Sequence, residues 1–136
     1  VMIKLSPLIS AAILLTLYGC SRQMNFDERC RKEAQMQTKK VCPKVITPGI
    51  TLDSITYDTK NRIMQYHYTM EGGYDDTATI AKGKNDFVKA LGNQIRNSID
   101  LKKYKDNGIG FRYTYTSKST KKTLIDESFT SKDYAQ

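Results

Sequence analysis

The stretch ITLDSITYDTKNRIMQYHYTM, residues 50–70, decides the fold of this chain. Residues 62–70 alternate strictly, so an extended strand would present two different faces. One face carries Met64, Tyr66, Tyr68 and Met70, and the other carries Ile63, Gln65, His67 and Thr69. Residues 50–57 also alternate, and Asp58-Thr59-Lys60-Asn61 between the two segments has the residues of a turn. The stretch therefore predicts a β-hairpin.

An amphipathic helix is predicted before the hairpin, over residues 25–38. Asn25 is a favourable N-cap, and Glu28 lies three residues later as its capping-box partner. Apolar residues recur at helical spacing at Phe26, Cys30, Ala34 and Met36 or Gln37. The prolines and glycine of Cys42-Pro43 and Pro48-Gly49 end this helix and predict an extended connection to the hairpin.

A second helix is predicted after the hairpin, between residues 77 and 99. The acidic, glycine-containing loop 71–76 supplies its cap, and an apolar stripe follows at Ile80, Phe87, Val88, Leu91, Ile95 and Ile99. Gly83 and Gly92 each cost a helix up to about 1 kcal/mol relative to Ala. Residues 85–98 are therefore the part of this helix that the sequence supports best, and the first turns have loop as an alternative.

Two further strands complete the pattern. Asp106-Asn107-Gly108 predicts a turn before strands over residues 109–116 and 122–129, and residues 130–134 predict either a last helical turn or a frayed end. The order α-β-β-α-β-β predicts an α+β fold, in which two helices pack on one face of a four-stranded antiparallel sheet and the other face is solvated. The predicted core is Phe26, Phe87, Leu91, Ile95, Tyr66, Tyr68, Phe111 and Tyr113.

The beginning of the sequence has the features of an export signal. Lys4 precedes an apolar run over residues 5–17, which is shorter than the roughly 20 residues of a membrane-spanning helix. The run ends in Leu17-Tyr18-Gly19-Cys20, which resembles the lipobox of bacterial lipoproteins. The resemblance implies that residues 1–19 are a cleaved signal peptide and that Cys20 carries the lipid. An ordinary signal peptide followed by an unrelated cysteine is the alternative.

This interpretation divides the chain into three parts. Residues 1–19 are the signal peptide, residues 20–24 a lipid-anchored tether, and residues 25–136 a single domain. Two or more acyl chains hold a protein at a membrane surface, because each buried methylene contributes about 0.8 kcal/mol. Ser21 after the cysteine resembles the enterobacterial signal for transfer to the outer membrane. The expected location is therefore the cell envelope, at the outer membrane and facing the periplasm.

Two more cysteines, Cys30 and Cys42, remain for other chemistry. An even pair in an oxidising compartment predicts a disulfide, worth about 3 kcal/mol for a loop of this length. The geometry is tight, because Cys30 lies inside a helix predicted to end near Thr38. The alternative is two buried thiols that act as small apolar side chains. Neither cysteine has the spacing of a catalytic or metal-binding residue.

Two segments of the sequence carry a second resemblance. TKKVCPKVITPGITLDSITYDTKNRIMQYHYTM, residues 38–70, and NSIDLKKYKDNGIGFRYTY, residues 97–115, resemble a pattern of small uncharacterised bacterial envelope proteins. Its elements are Cys-Pro, Thr-Leu-Asp-Ser-Ile and a hairpin that ends in Tyr-x-Tyr-Thr. The resemblance covers roughly two thirds of the predicted mature chain. It implies a shared fold and supplies no activity.

The charge and the reactive residues exclude several function classes. The chain has 22 Lys and Arg against 14 Asp and Glu, for a net charge of +8, but its cations are scattered and form no recognisable nucleic-acid motif. His67 is the single histidine, and no nucleophile elbow, P-loop or dinucleotide-binding glycine pattern is present. The sequence therefore predicts no catalytic residue, no metal site, no cofactor and no nucleic-acid partner.

The remaining class is a binding protein. We expect a non-enzymatic, lipid-anchored module that interacts with another envelope protein, as an assembly factor, an exclusion component or an inhibitor. The candidate interaction surface is the polar sheet face with Gln65, His67, Arg112 and Thr114. The alternative is a binding module for anionic lipid or cell-wall glycan, which the basic surface would attract.

Overall fold

The computed structural model describes residues 24–135, which form five strands and four α-helices. The predicted signal peptide and Cys20 lie outside the described residues. In chain order the elements are α1 (Phe26–Val41), β1 (Lys44–Thr47), β2 (Ile50–Asp58), β3 (Ile63–Met70), a 3₁₀ turn (Gly72–Tyr74), α2 (Thr77–Asn97), α3 (Lys102–Asp106), β4 (Gly110–Ser117), β5 (Thr123–Phe129) and α4 (Ser131–Tyr134).

The strands form one sheet in the order β1-β2-β3-β4-β5. The neighbouring pairs are antiparallel except β3 and β4, which are parallel with Tyr66 opposite Tyr113 and Met70 opposite Ser117. The prediction of a wholly antiparallel sheet is therefore wrong. Its physical reason lies in the connection from β3 to β4, because α2 carries the chain back to the end of the sheet where β3 began.

The fifth strand, β1, is the element that the sequence analysis missed. Its four residues pair with the start of β2, with Thr47 opposite Ile50, and the turn between them contains Pro48 and Gly49. Gly49 has φ of +95°, and a Cβ there would lie 2.8 Å from the Tyr74 ring. The predicted connection is therefore a tight hairpin, and the prediction of four strands is corrected to five.

A β-bulge in β2 gives the sheet its apolar face. The register shifts between Leu52 and Ser54, so Ile55 and Tyr57 point to the same side as Leu52 although simple alternation would separate them. With β3, β4 and β5, one face becomes continuously apolar. Its members include Ile50, Leu52, Tyr57, Met64, Met70, Phe111, Tyr113, Tyr115, Ile125 and Phe129, all of which are buried.

The helices cover this apolar face, as predicted. Helix α1 begins at the predicted cap, where Asn25 Oδ1 accepts a 2.8 Å hydrogen bond from the Glu28 amide, and it buries Cys30 and Ala34. Helix α2 begins after Asp76, which caps it through the Ala78 amide. The short helices α3 and α4 add Tyr104 and Tyr134, whose rings contact Phe111, so the predicted pair of helices is corrected to four.

The predicted core is confirmed in part. Leu91, Ile95, Phe111 and Tyr113 are buried. The other four, Phe26, Phe87, Tyr66 and Tyr68, are half-buried and pack against the core. Several fully buried residues were not predicted, among them Met70, Ile109 and Ile125. Met70 lies on the same predicted face of β3 as Tyr66 and Tyr68, whereas Ile109 precedes β4 and Ile125 lies within the seven-residue β5, where the periodic pattern is short.

The predicted disulfide does not form in this structure, in which Cys30 and Cys42 are free thiols. Helix α1 continues to Val41, and Cys42 is its C-cap. Twelve residues of helix separate the two cysteines by about 18 Å, whereas a disulfide needs Cα atoms within about 7 Å. Cys30 instead fills the core at 1 % exposure, and burial raises its pKa to about 11.

Candidate functional site

The structure brings the four predicted interaction residues together on the polar face of the sheet. The parallel register sets Gln65 beside Arg112 and His67 beside Thr114. All four are half-buried, although no helix of the described residues packs on this side. Their neighbours on β2 and β5 are also polar, including Thr51, Asp53, Thr56, Asp126 and Ser128.

The side chains of this polar face bind one another. The Arg112 guanidinium donates to both carboxylate oxygens of Asp126, at 2.8 and 2.7 Å. Thr56 Oγ1 lies 3.0 Å from the Gln65 amide oxygen and 2.9 Å from His67 Nε2. Burial and the charge of Arg112 lower the pKa of His67, so the ring is neutral at pH 7. The polar face therefore offers few uncommitted groups to a partner.

A groove crosses the opposite, apolar face between α1 and α2. It consists of two adjoining hollows of about 520 and 580 Å³, which share Tyr66, Asp100 and Leu101. Helix α1 contributes one wall through Glu33, Ala34, Met36 and Gln37. Helix α2 contributes the other through Phe87, Leu91 and Gln94, followed by its C-cap Ser98. We call this feature the tyrosine groove, because four tyrosines form its floor.

Four tyrosines on β3 and β4 form that floor. The rings of Tyr66 and Tyr113 stack with centroids 4.9 Å apart, and those of Tyr68 and Tyr115 stack at 4.5 Å, with ring planes within 11° of parallel. The parallel register places these residues directly opposite each other. Phe87 closes one side with its ring edge-on to Tyr115 at 5.1 Å. The ring faces of the floor are thus packed against one another.

The hydroxyl groups of these four tyrosines have no hydrogen-bond partner among the described residues, in contrast to those of Tyr57, Tyr104 and Tyr134. No fully buried side-chain nitrogen or oxygen in residues 24–135 lacks a partner, so the hydroxyls reach solvent. Desolvation by burial raises the pKa of Tyr68 to about 12 and raises the other three as well. All four are neutral donors and acceptors that point into the groove.

The groove carries few charges. Glu33 is engaged, because it accepts hydrogen bonds from Lys103 Nζ at 3.0 and 2.9 Å and from the Tyr104 hydroxyl. Asp100 lines both hollows and makes no hydrogen bond or ion pair with another described residue. The local charge of the lining is therefore about −1, although the chain as a whole is basic.

The arrangement suits binding rather than catalysis or metal coordination. Its side chains are mainly aromatic and aliphatic with a few polar groups, and of its two carboxylates Glu33 is engaged by Lys103 and Tyr104. Over residues 24–135 no cluster of three or more His, Cys, Asp or Glu side chains is placed to hold a metal ion. Among the helices of the same range, none has the length and hydropathy needed to span a bilayer.

Comparison with known protein families identifies the family of this chain. The sequence model of a family described as a domain of unknown function, DUF8479, matches residues 25–125. The chain belongs to the DUF8479 family. The match includes both walls of the tyrosine groove and its floor. No curated protein sequence matches this DUF8479 member.

Three solved structures share the fold of this DUF8479 member. A Pseudomonas aeruginosa protein described as secreted superposes with a TM-score of 0.64 at 14% identity, covering 82% of this chain and 98% of its own. EpsS, a pilotin of the Vibrio vulnificus type 2 secretion system, gives 0.63 at 14% identity, with 81% and 92% covered. The type II secretion pilotin AspS of Vibrio cholerae gives 0.60 at 15% identity, with 84% and 96% covered. At such identities the likeness shows the fold alone.

The sequence predicts Tyr66, Tyr68 and Tyr113 of this DUF8479 member as core residues, and it does not predict the groove. Tyr113 and Tyr115 are buried, whereas Tyr66 and Tyr68 are half-buried and line the hollows of the groove. The available signal was chemical. A buried tyrosine hydroxyl usually needs a hydrogen-bond partner. The sequence has nine tyrosines among 136 residues, and this large number indicates that some of the hydroxyls reach solvent.

Proposed function

We propose that this protein is a non-enzymatic module of the bacterial envelope, which docks a segment of another envelope protein in the tyrosine groove. The observation that carries the proposal is the groove itself. It is concave, it has a floor of stacked aromatic rings, and four hydroxyls in it are left for an occupant. Tyrosines of this kind contribute strongly at protein interfaces, because each combines a large apolar area with a polar end.

The contrast between the two sheet faces supports the groove as the docking site. On the polar face, the Arg112–Asp126 pair and the hydrogen bonds of Thr56 already satisfy the groups that a partner would need. Binding there would first have to break these interactions. Binding in the groove breaks no hydrogen bond between protein side chains of this kind, because the tyrosine hydroxyls can exchange water for groups of the docked segment.

The fold comparisons support an assembly role. Two of the three similar structures are pilotins of type II secretion systems. We propose that the present protein likewise assists the assembly of an envelope complex. Its partner would then be a component of that complex, held in the groove by one segment of its chain.

The membrane anchor belongs to the same proposal. We propose that residues 1–19 are removed, that Cys20 carries the acyl chains, and that the module faces the periplasm from the outer membrane. Labelling with a clickable palmitate analogue should modify the chain but not its Cys20→Ser variant, and the variant should leave the membrane fraction. A Cys20→Ser product that is processed and still sediments with outer membranes would contradict the anchor.

Site-specific photo-cross-linking in living cells tests the docking site. A benzoylphenylalanine replaces Met36 or Gln94, which are on the two walls of the groove. Lys89, exposed on the outer side of α2, is the matched control. We expect one adduct of the same size from Met36 and Gln94, none from Lys89, and a several-fold lower yield when Tyr66 and Tyr68 are both changed to Phe.

Two results would contradict the groove. Adducts from Gln65 or Thr114, without adducts from Met36 or Gln94, would identify the polar face as the interaction surface. Absence of any protein adduct, together with binding to cell-wall glycan or anionic vesicles that salt abolishes, would identify the basic surface as the functional one.

A further inference from the structure

We propose that the docked segment is recognised at two points, where a single Arg or Lys pairs with Asp100 and a large apolar side chain enters a pocket beneath α2 at Gly83. The inference rests on the proposed function and specifies the chemistry of its ligand. That ligand is an amphipathic segment with one basic residue, not a polybasic or acidic one.

The first recognition point is the pocket at Gly83, which takes the apolar side chain and has a volume of about 150 Å³. It lies between the first half of α2 and the end of the sheet, and its lining is almost entirely apolar. The lining residues are Ile50, Met70, Tyr74, Thr79, Ile80, Gly83, Lys84, Phe87 and Ile125. An apolar cavity of about this size accommodates a molecule such as benzene, so the pocket fits one Leu, Met or Phe side chain.

Gly83 keeps this pocket open. It lies three residues after Ile80 and four before Phe87, which places it on the inward stripe of α2 where a side chain would be expected. A Cβ built on Gly83 has no neighbouring atom within 4 Å, so no packing contact requires a glycine there. Glycine in a helix costs up to about 1 kcal/mol relative to Ala. The missing side chain leaves space that a ligand can use.

The pocket continues into the tyrosine groove. Ile50, Tyr74 and Phe87 line both the pocket and the larger hollow of the groove. Most residues of the first half of α2, over residues 77–86, are exposed, so little of the protein itself covers this end. A segment lying on the tyrosine floor can therefore place a side chain in the pocket without leaving the groove.

The second point is Asp100, which lies where the two hollows meet. Its carboxylate is exposed and is the unpaired charge of the lining, so it can pair with a cation carried by a docked segment. The rest of the chain has a net positive charge and repels additional cations. The combination favours one basic residue opposite Asp100 and disfavours a basic run.

The spacing of the two points follows from α2. Gly83 lines the pocket, and Ser98 lines the hollow beside Asp100. Fifteen residues of helix span about 22 Å. A helical ligand would therefore carry its basic and apolar residues about 15 positions apart, and an extended ligand about 7 positions apart.

Selection of peptides from a random library of 20-residue displayed peptides tests the inference on the full chain in detergent. We expect enriched sequences to contain one Arg or Lys and one Leu, Met or Phe at one of these spacings. Selection on the Asp100→Lys variant should replace the basic residue by Asp or Glu. Gly83→Leu should lower recovery of the original peptides at least tenfold. Asp86→Lys and Ala81→Leu, with the same changes at exposed positions outside the groove, should leave recovery unchanged.

The outcomes separate this inference from the proposed function. Peptides that lose binding to a Gln94→Arg variant, which obstructs the groove wall, but bind Asp100→Lys and Gly83→Leu unchanged would refute the two-point recognition and leave the groove in place. Peptides that bind Gln94→Arg as well as the parent, or no enrichment at all, would refute the docking groove itself. Thermal unfolding of each variant establishes that it is folded.

Discussion

The hydroxyl of Thr38 on α1 binds both backbone groups of Ile55 on β2. Thr38 Oγ1 donates to the Ile55 carbonyl at 2.8 Å and accepts from the Ile55 amide at 2.9 Å. Strand β1 pairs with β2 only as far as Leu52, so the edge of β2 is left open beyond that residue. One side chain thus takes the place of a strand there and fixes the α1 wall of the groove to the sheet.

Replacing Thr38 with Val should destabilise the fold, because the Ile55 amide and carbonyl would lose their partner without a change in side-chain shape. An unsatisfied pair of this kind costs about 1–3 kcal/mol. Urea unfolding measures the loss. Thr38→Ser keeps the hydroxyl and should lose less than half as much. Equal stability of Thr38→Val and the parent would show that water replaces the hydroxyl at no cost.

The sequence predicted those features that depend on neighbouring residues. Asn25 and Asp76 cap the two long helices as expected, and the Asp58 side chain accepts from the Lys60 and Asn61 amides in the predicted turn. Strands β3 and β4 alternate as predicted, which sets Gln65 and His67 on one side of β3 and Arg112 and Thr114 on one side of β4. Each of these features follows from side chains within a few residues of one another.

Features that depend on distant residues could not be predicted in this way. The parallel pairing of β3 with β4 joins segments about 40 residues apart, and alternation is the same in parallel and antiparallel strands. Strand β1 is too short to show a period. Thr38 also attaches α1 to the edge of β2, and no local pattern marks that contact.

The stability of the fold should fall on mild acidification because of His67. Burial and Arg112 lower its pKa in the folded state, so the unfolded chain takes up the proton first as the pH falls through about 6.5. Unfolding in urea at pH 7.5 and pH 5.5 should give a lower free energy at the lower pH. The His67→Gln variant should lose much of this dependence, since His67 is the single histidine. An unchanged slope in the variant would assign the effect to carboxylates instead.

The two cysteines should differ in reactivity. Cys30 is buried and its pKa is raised to about 11, whereas Cys42 is half-buried at the end of α1. Because the thiolate is the reactive form, a maleimide should label Cys42 in the native protein and label Cys30 only as the chain unfolds. Peptide mass spectrometry resolves the two sites. A disulfide-linked peptide containing both cysteines from oxidised, native protein would contradict the 18 Å separation inferred from the helix.

Two glycines of α2 should respond in opposite directions to the same substitution. Gly83→Ala adds a methyl group where no atom lies within 4 Å, so it should raise the free energy of unfolding by about 0.5–1 kcal/mol through helix propensity. Gly92→Ala places its Cβ 3.3 Å from the ring of Phe129, which is buried. Crowding of that kind costs about 1–3 kcal/mol, which exceeds the gain in propensity and should lower stability.

Urea unfolding of both variants, followed by circular dichroism, checks this pair, and equal shifts of the same sign would refute the packing difference. The comparison also bears on the pocket. A Gly83→Ala protein that is more stable yet recovers fewer of the selected peptides would show that the helix gives up stability at Gly83 to keep space for a ligand. If the recovery of selected peptides stays unchanged while stability rises, one added methyl group does not fill the pocket. The larger side chain of Gly83→Leu then tests whether a ligand occupies it.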